Sequence, residues 1–126
     1  MKDEIRVFLR RADGFIRNAY DNLKSGDNDL AMFHVEQACQ LILKAKFLDL
    51  VGHFEKTHSL VKLARGLGEI ISNEEINKFI EENNRVLRNL ERAYVLSRYY
   101  PVDFDREEVE EALKVYEKLR DLLWKA

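Results

Sequence analysis

The sequence predicts an all-α fold, an up-and-down four-helix bundle with a short additional helix. Apolar residues recur at three- and four-residue steps through most of the chain, which is the period of a helix with one buried face. The 126 residues include one proline and five glycines, too few for the turns of an all-β domain. No segment longer than three residues has the pattern of a strand. The length fits one helical domain spanning residues 1–126.

The central element of the predicted bundle is a long helix over Asp29–Val51. This segment contains neither glycine nor proline, and it is amphipathic, so it needs partner helices to bury its apolar face. Gln37 and Lys44 are seven residues apart and lie together on one edge of that face. They are the first indication of a site. The apolar face is predicted to consist of Leu30, His34, Ala38, Leu41, Ala45 and Leu48, widened on one side by Ala31 and Ile42.

Local signals place the other helices. A first helix is predicted over Asp3–Lys24, with its acidic first turn favoured by the helix dipole and a Ser-Gly-Asp-Asn stop at its end. A short helix is predicted over His58–Arg65, and the glycines that follow end it. Capping boxes, in which a cap residue is followed three positions later by glutamate, predict the starts of the last two helices. Thr57 is predicted to cap the short helix, which Gly66 and Gly68 follow. Ser72 and Glu75 are predicted to open a long fourth helix that runs to Arg98 and is stopped by Pro101. Asp105 and Glu108 are predicted to open the last helix.

Composition and charge exclude several classes of protein. The net charge of −2 gives no overall attraction to nucleic acid or to an anionic membrane. The single cysteine, Cys39, cannot form an intrachain disulfide and is expected to be a structural or interface thiol. No apolar run reaches the ~20 residues that span a bilayer, and the charged N-terminal segment has no signal-peptide core. These features predict a cytoplasmic protein.

The histidines do not form a recognisable metal site. His34 lies on the predicted apolar face, where a hydrogen-bonded core or interface histidine is expected, and His53 lies in a loop. Di-metal helix bundles use two Glu-x-x-His motifs, whereas this chain has one such spacing, Glu55 to His58. We therefore predict no metal and no cofactor.

Arginines are the candidate phosphate ligands. Arg85, Arg88 and Arg92 form a basic stripe opposite the apolar face of the fourth predicted helix, where a solvated face and a weak phosphate contact are both open readings. Arg98 instead falls on the flank of the buried face, just before Tyr99. It is either a phosphate ligand held beside aromatic rings or a structural clamp on the helix end.

These features together resemble the HEPN domain, a small all-helical nucleotide-binding family of higher eukaryotes and prokaryotes. The resemblance covers nearly the whole chain. It rests on Met32–Ala38 with Lys44, on Thr57–Leu60, and on Ser97–Tyr99 with Pro101. It implies a bundle that dimerises, and HEPN proteins are often encoded beside a minimal nucleotidyltransferase in toxin–antitoxin-like modules.

The resemblance also raises ribonuclease activity. Metal-independent HEPN ribonucleases use an arginine, a polar residue and, four to six residues on, a histidine. Arg98 and Tyr99 match the start of that motif, but the positions at which the histidine should fall carry Asp103, Phe104 and Asp105. Because transfer of a proton near neutral pH is the task suited to histidine, the sequence favours a binding protein over a nuclease.

Three functions follow as hypotheses. The first is a homodimeric binding module that holds a nucleotide, RNA or a partner segment at Gln37, Lys44, Arg98 and Tyr99. The second is a divergent ribonuclease toxin that uses Arg98 with His34 or His58. The third is a purely structural adaptor. The homodimer is predicted from apolar residues that exceed the needs of one bundle, namely Phe8, Phe33, Phe47 and Trp124.

Overall fold

A computed structural model describes residues 1–96 and 103–124. Over these residues the regular secondary structure is all α-helix, with no strand, which confirms the predicted fold class. None of the helices in residues 1–96 and 103–124 contains an apolar stretch of the length that a membrane span requires. The helices are α1 (Asp3–Ser25), α2 (Asn28–Val51), α3 (Leu60–Ile71), α4 (Glu74–Glu82), α5 (Asn84–Leu96) and α6 (Arg106–Trp124).

Helix α2 is the centre of the core, but the prediction of one apolar face was wrong. Helices α1, α3, α5 and α6 all pack against α2, so it is buried on most of its circumference. Leu30, assigned to the buried face, is 47% exposed, whereas Cys39 and Leu43 are fully buried. A helix surrounded by four partners has no single stripe, and its sequence period therefore does not identify which side is inside. Burial also raises the pKa of the Cys39 thiol, as expected of a structural cysteine.

Helix α3 is longer than predicted. It begins at Leu60 with Ser59 as its cap, and its chain continues through both glycines to Ile71. Gly68 is a packing residue and not a stop, because a Cβ atom there would overlap Asn77 Oδ1. Ser72 ends α3 in the left-handed conformation, with φ of 55°, and does not start the next helix.

The long fourth helix predicted from Ser72 to Arg98 is two helices. Asn73 caps α4, since its Oδ1 accepts a hydrogen bond of 3.1 Å from the backbone N–H of Ile76. α4 ends at Glu82, and the side-chain Nδ2 of its cap residue, Asn83, donates to the carbonyl oxygen of Phe79 at 2.8 Å. Short polar side chains that bond to nearby carbonyls compete with helix continuation, and here the competition ends one helix and redirects the chain into α5.

Other local signals predicted the structure correctly. Gly26 terminates α1 in the left-handed conformation, so a short turn leads into α2 and the two helices pack together. The second predicted capping box is present. Asp105 Oδ1 accepts from the Glu108 N–H at 2.8 Å, and Glu108 Oε1 accepts from the Asp105 N–H at 3.1 Å.

Part of the apolar surplus that predicted a homodimer is absorbed within one chain. Phe47 is buried in the core, and the indole N–H of Trp124 donates to the carbonyl of Ile42 at 3.1 Å. Phe8 packs against Phe54, with ring centroids 6.1 Å apart. The premise was therefore wrong for Phe47 and Trp124, and the dimer itself stays a prediction.

Candidate functional site

A pocket of about 550 Å³ opens between α1, α2, α5 and the segment that joins α2 to α3. Helix α2 supplies its floor with Gln37, Gln40, Leu41 and Lys44, which recur at helical spacing along one side. The structure thus brings the two predicted site residues of this helix, Gln37 and Lys44, into one pocket. The other lining residues are Phe8, Arg11, Phe15, Phe54, His58 and Tyr94.

A buried carboxylate–amide network lies beneath the pocket. Glu36 is fully buried, and its two oxygens accept hydrogen bonds from Gln37 Nε2 at 2.8 Å and from Gln40 Nε2 at 2.9 Å. Gln40 Nε2 also donates to the carbonyl oxygen of His58 at 2.8 Å. One amide group therefore ties α2 to the segment before α3 and fixes the side of the pocket that carries His58.

The charges of the floor are coupled. Burial raises the pKa of Glu36 to about 7, although the hydrogen bonds from Gln40 and Gln37 and the charge of Lys44 oppose the rise. The nearby carboxylate of Glu91 adds to it. Burial lowers the pKa of the Lys44 ammonium, and the charge of Glu36 opposes that change. The floor consequently changes its net charge near neutral pH.

Aromatic rings form the walls. The rings of His58 and Tyr94 stack with centroids 4.7 Å apart and an interplanar angle of 22°. Phe33 does not line the pocket but stacks with Tyr94, with ring centroids 6.4 Å apart and an interplanar angle of 7°. On another side, the Lys44 ammonium lies 5.3 Å from the centroid of the Phe54 ring. The pocket thus combines flat apolar faces with a partly desolvated cation.

Comparison with known proteins places this architecture in a family. Residues 5–125 match the HEPN domain. The chain belongs to the HEPN domain family. The crystal structure of TT1696 from Thermus thermophilus is similar, with a TM-score of 0.78 and 27% sequence identity over 97% of each chain. No curated protein matches the sequence.

Of the histidines considered for a HEPN nuclease, the structure places only His58 at the pocket. His34 is half-buried between α1 and α2, with Nδ1 2.6 Å from Asn22 Oδ1 and its ring stacked on Phe15 at 5.8 Å. Burial lowers the pKa of His34. It is the hydrogen-bonded packing histidine that the sequence favoured. His58 is exposed, and its Nε2 lies 3.4 Å from the Tyr94 hydroxyl.

The HEPN motif that follows α5 in the sequence lies outside the described residues. This covers the predicted ligands Arg98 and Tyr99, so their roles stay predictions. Asp105, one of the positions considered for the missing histidine, is occupied as the cap of α6. No cluster of three or more His, Cys, Asp or Glu side chains that could hold a metal occurs in residues 1–96 and 103–124.

The arginine stripe is exposed and lies away from the pocket. Arg85 pairs with Glu111 on α6 at 2.9 Å, and Arg88 Nε donates to Asn84 Oδ1 at 2.8 Å. Arg92 lies 5.9 Å from the Phe104 ring. Two glutamates that lie near the stripe in the sequence bond to other elements. Glu81 pairs with Arg65, and Glu91 accepts from the backbone N–H of Val61 at the start of α3.

Sequence reasoning found two floor residues and missed the buried one. Gln37 and Lys44 were visible because two turns separate them. Glu36 was missed as a site residue. It precedes Gln37 in the sequence and so points to a different side of the helix, and nothing in the local sequence shows that this glutamate is buried. The available signal was the spacing of Glu36 and Gln40, whose side chains meet at i, i+4 on a helix.

Proposed function

We propose that this HEPN protein is a binding module that holds a nucleotide, free or at the end of an RNA strand, in the pocket over α2. The observation that carries the proposal is the composition of that one pocket. It joins two cationic side chains, Arg11 and Lys44, with stacked aromatic rings and amide groups. Cations suit phosphate, and aromatic faces suit bases.

Lys44 is the proposed phosphate contact. Its ammonium is partly withdrawn from water beside Phe54, which strengthens its attraction for an anion relative to a fully solvated lysine. Arg11 adds a guanidinium from α1 on the same pocket. Arg98 and Tyr99 are proposed as further contacts on the strength of the HEPN motif and their place just beyond α5.

His58 supports a second candidate, the divergent HEPN ribonuclease. It is an exposed imidazole at the pocket edge, and a histidine there could accept or donate a proton during attack by a 2′-hydroxyl. The motif histidine after Arg98 is nonetheless missing from the sequence. Binding thus stands first, and RNA cleavage without metal that is lost in His58→Ala would establish the second candidate.

The proposed biological setting follows from the family. We propose a homodimer that acts with a minimal nucleotidyltransferase as one half of a toxin–antitoxin-like pair. HEPN membership supports this setting, and co-expression with the product of an adjacent nucleotidyltransferase gene, followed by co-purification, tests it. A structural adaptor without a ligand is the remaining alternative, and it predicts no binding at the pocket.

Titration calorimetry with ATP and with a short RNA tests the binding function. Lys44→Met is expected to weaken binding about tenfold or more, the scale of one charge-assisted hydrogen bond. Lys114→Met removes an exposed lysine from α6, which does not line the pocket, and serves as the matched control. Arg98→Ala is expected to weaken binding while keeping the helical circular dichroism.

Two outcomes would contradict the binding function. Wild type that binds neither ATP nor RNA would refute it outright. Equal losses in Lys44→Met and Lys114→Met would show a non-specific effect of charge and would remove the pocket from the account. An unfolded Arg98→Ala variant would instead identify Arg98 as a structural clamp.

A further inference from the structure

We infer that Gln40 makes this pocket select nucleotides whose base carries an exocyclic amino group, as adenine and cytosine do, over bases with a carbonyl at that position. The inference rests on the proposed nucleotide-binding function and names the class of ligand. It concerns a single buried acceptor atom, Gln40 Oε1, of a residue that lines the pocket floor.

The orientation of the Gln40 amide is fixed by its neighbours. Its Nε2 donates to Glu36 Oε2 at 2.9 Å and to the carbonyl oxygen of His58 at 2.8 Å. A rotated amide would set Gln40 Oε1 against the His58 carbonyl, which only accepts hydrogen bonds. This holds whether Glu36 is charged or neutral, so Oε1 stays on the opposite side of the amide group.

That oxygen has no hydrogen-bond donor among the described residues. Gln40 is only 6% exposed, and its Oε1 is buried. Buried acceptors in folded proteins are almost always paired, because an unpaired one keeps the full penalty of desolvation. Gln40 also lines the pocket, so a ligand that shifts the side chains covering Oε1 as it seats can supply the missing N–H group.

The surrounding geometry favours a base as the source of that N–H. Gln40 is bonded to the backbone of His58, whose ring stacks on Tyr94, so flat aromatic faces and the acceptor occur at one end of the pocket. Lys44 lies one helical turn further along α2, about 6 Å in rise. A base at Gln40 and a phosphate near Lys44 are separated by a distance that a nucleotide spans.

The chemistry then separates bases that have the same shape. The amino groups of adenine and cytosine are donors, whereas hypoxanthine and uracil carry a carbonyl oxygen at the same place. A carbonyl oxygen of the base would face Gln40 Oε1, and because both oxygens are acceptors, no hydrogen bond could form between them. Sites with a buried polar group discriminate strongly against an analogue that leaves it unpaired.

Calorimetry on wild type with adenosine and inosine monophosphate tests the inference. Adenosine monophosphate is expected to bind about tenfold tighter, the scale of one buried hydrogen bond. Cytidine monophosphate should likewise bind tighter than uridine monophosphate. Equal binding within each pair is the result expected if a water molecule donates to Oε1. It would overturn the selectivity but leave the nucleotide-binding function standing. Binding of none of the four would refute the nucleotide function itself.

Two variants assign the selectivity to its residue. Gln40→Met keeps the length of the side chain without the acceptor, and the adenosine-to-inosine ratio is expected to fall to about one. Gln37→Met, on the same floor, is the control; it should lower both affinities and keep the ratio. Loss of the ratio in Gln37→Met would overturn the assignment to Gln40. The wild-type comparison decides the inference even if Gln40→Met does not fold.

Discussion

The buried Glu36 carboxyl has a measurable effect on stability. Its pKa rises from 4.5 to about 7 in the folded protein, so between these values the folded chain holds a proton that the unfolded chain has released. Stability therefore falls as pH rises through this window, by about 1.4 kcal/mol per pH unit. The stability that the raised pKa of Glu36 contributes is about 3 kcal/mol. It is fully present below pH 4.5 and is lost above pH 7.

Glu36→Gln removes this dependence and keeps most of the hydrogen bonding. The new amide carbonyl can accept from Gln40 Nε2, and its NH₂ can donate to Gln37 once the half-buried Gln37 amide rotates. The variant is consequently expected to gain about 2–3 kcal/mol relative to wild type between pH 5 and pH 8. It should lie within about 1 kcal/mol of wild type at pH 5, where Glu36 is still protonated in the folded protein and only part of the contribution has been lost.

Urea unfolding followed by circular dichroism at 222 nm measures this difference. The other ionisable groups contribute equally to the variant and to wild type, so their effects cancel when the two proteins are compared at each pH. Glu82→Gln removes an exposed carboxylate as the control, with an expected effect under about 0.5 kcal/mol. Parallel pH profiles for wild type and Glu36→Gln, differing by less than about 1 kcal/mol over this range, would refute the coupling described for the pocket floor.

Three further predictions concern packing, backbone strain and assembly. Leu90→Ala should lower the free energy of unfolding in urea by about 2–5 kcal/mol because Leu90 is fully buried. Leu41→Ala should lower it by less, since Leu41 is half-buried, and the reverse order would mean that the helix faces are misplaced. Ser72→Gly should raise stability by about 0.5–1 kcal/mol, since φ there is 55° and only the exposed bond to the Glu69 carbonyl is lost; a lower melting temperature would contradict this. Light scattering at micromolar concentration should give a dimer, and a monomer would refute the homodimer.

The fold was predictable where the decisive signal is local. The capping box of Asp105 and Glu108 needs only neighbouring residues, and the structure contains it. Apolar periodicity likewise identified the long helices. The split at Asn83 was not predictable from that period, because the same apolar spacing continues on both sides while a single side chain bonds back to the Phe79 carbonyl. Gly68 was misread since its role depends on Asn77, a contact between two helices.

The site was predictable only along one helix. Gln37 and Lys44 share a side of α2 by spacing alone. The contributions of Arg11, His58 and Tyr94 depend on how α1, α5 and the segment before α3 pack against α2. That packing sets burial, and burial sets the pKa of Glu36, so neither could be derived from the sequence.

Nuclear magnetic resonance on labelled protein tests the central claim, that the pocket over α2 binds a nucleotide. Titration with adenosine monophosphate is predicted to shift the side-chain NH₂ signals of Gln37 and Gln40 and the backbone amides around Lys44. The NH₂ signal of Asn73, which caps α4 and does not line the pocket, is predicted to stay in place. Shifts that occur elsewhere while the signals of Gln37, Gln40 and Lys44 remain unchanged would contradict the account.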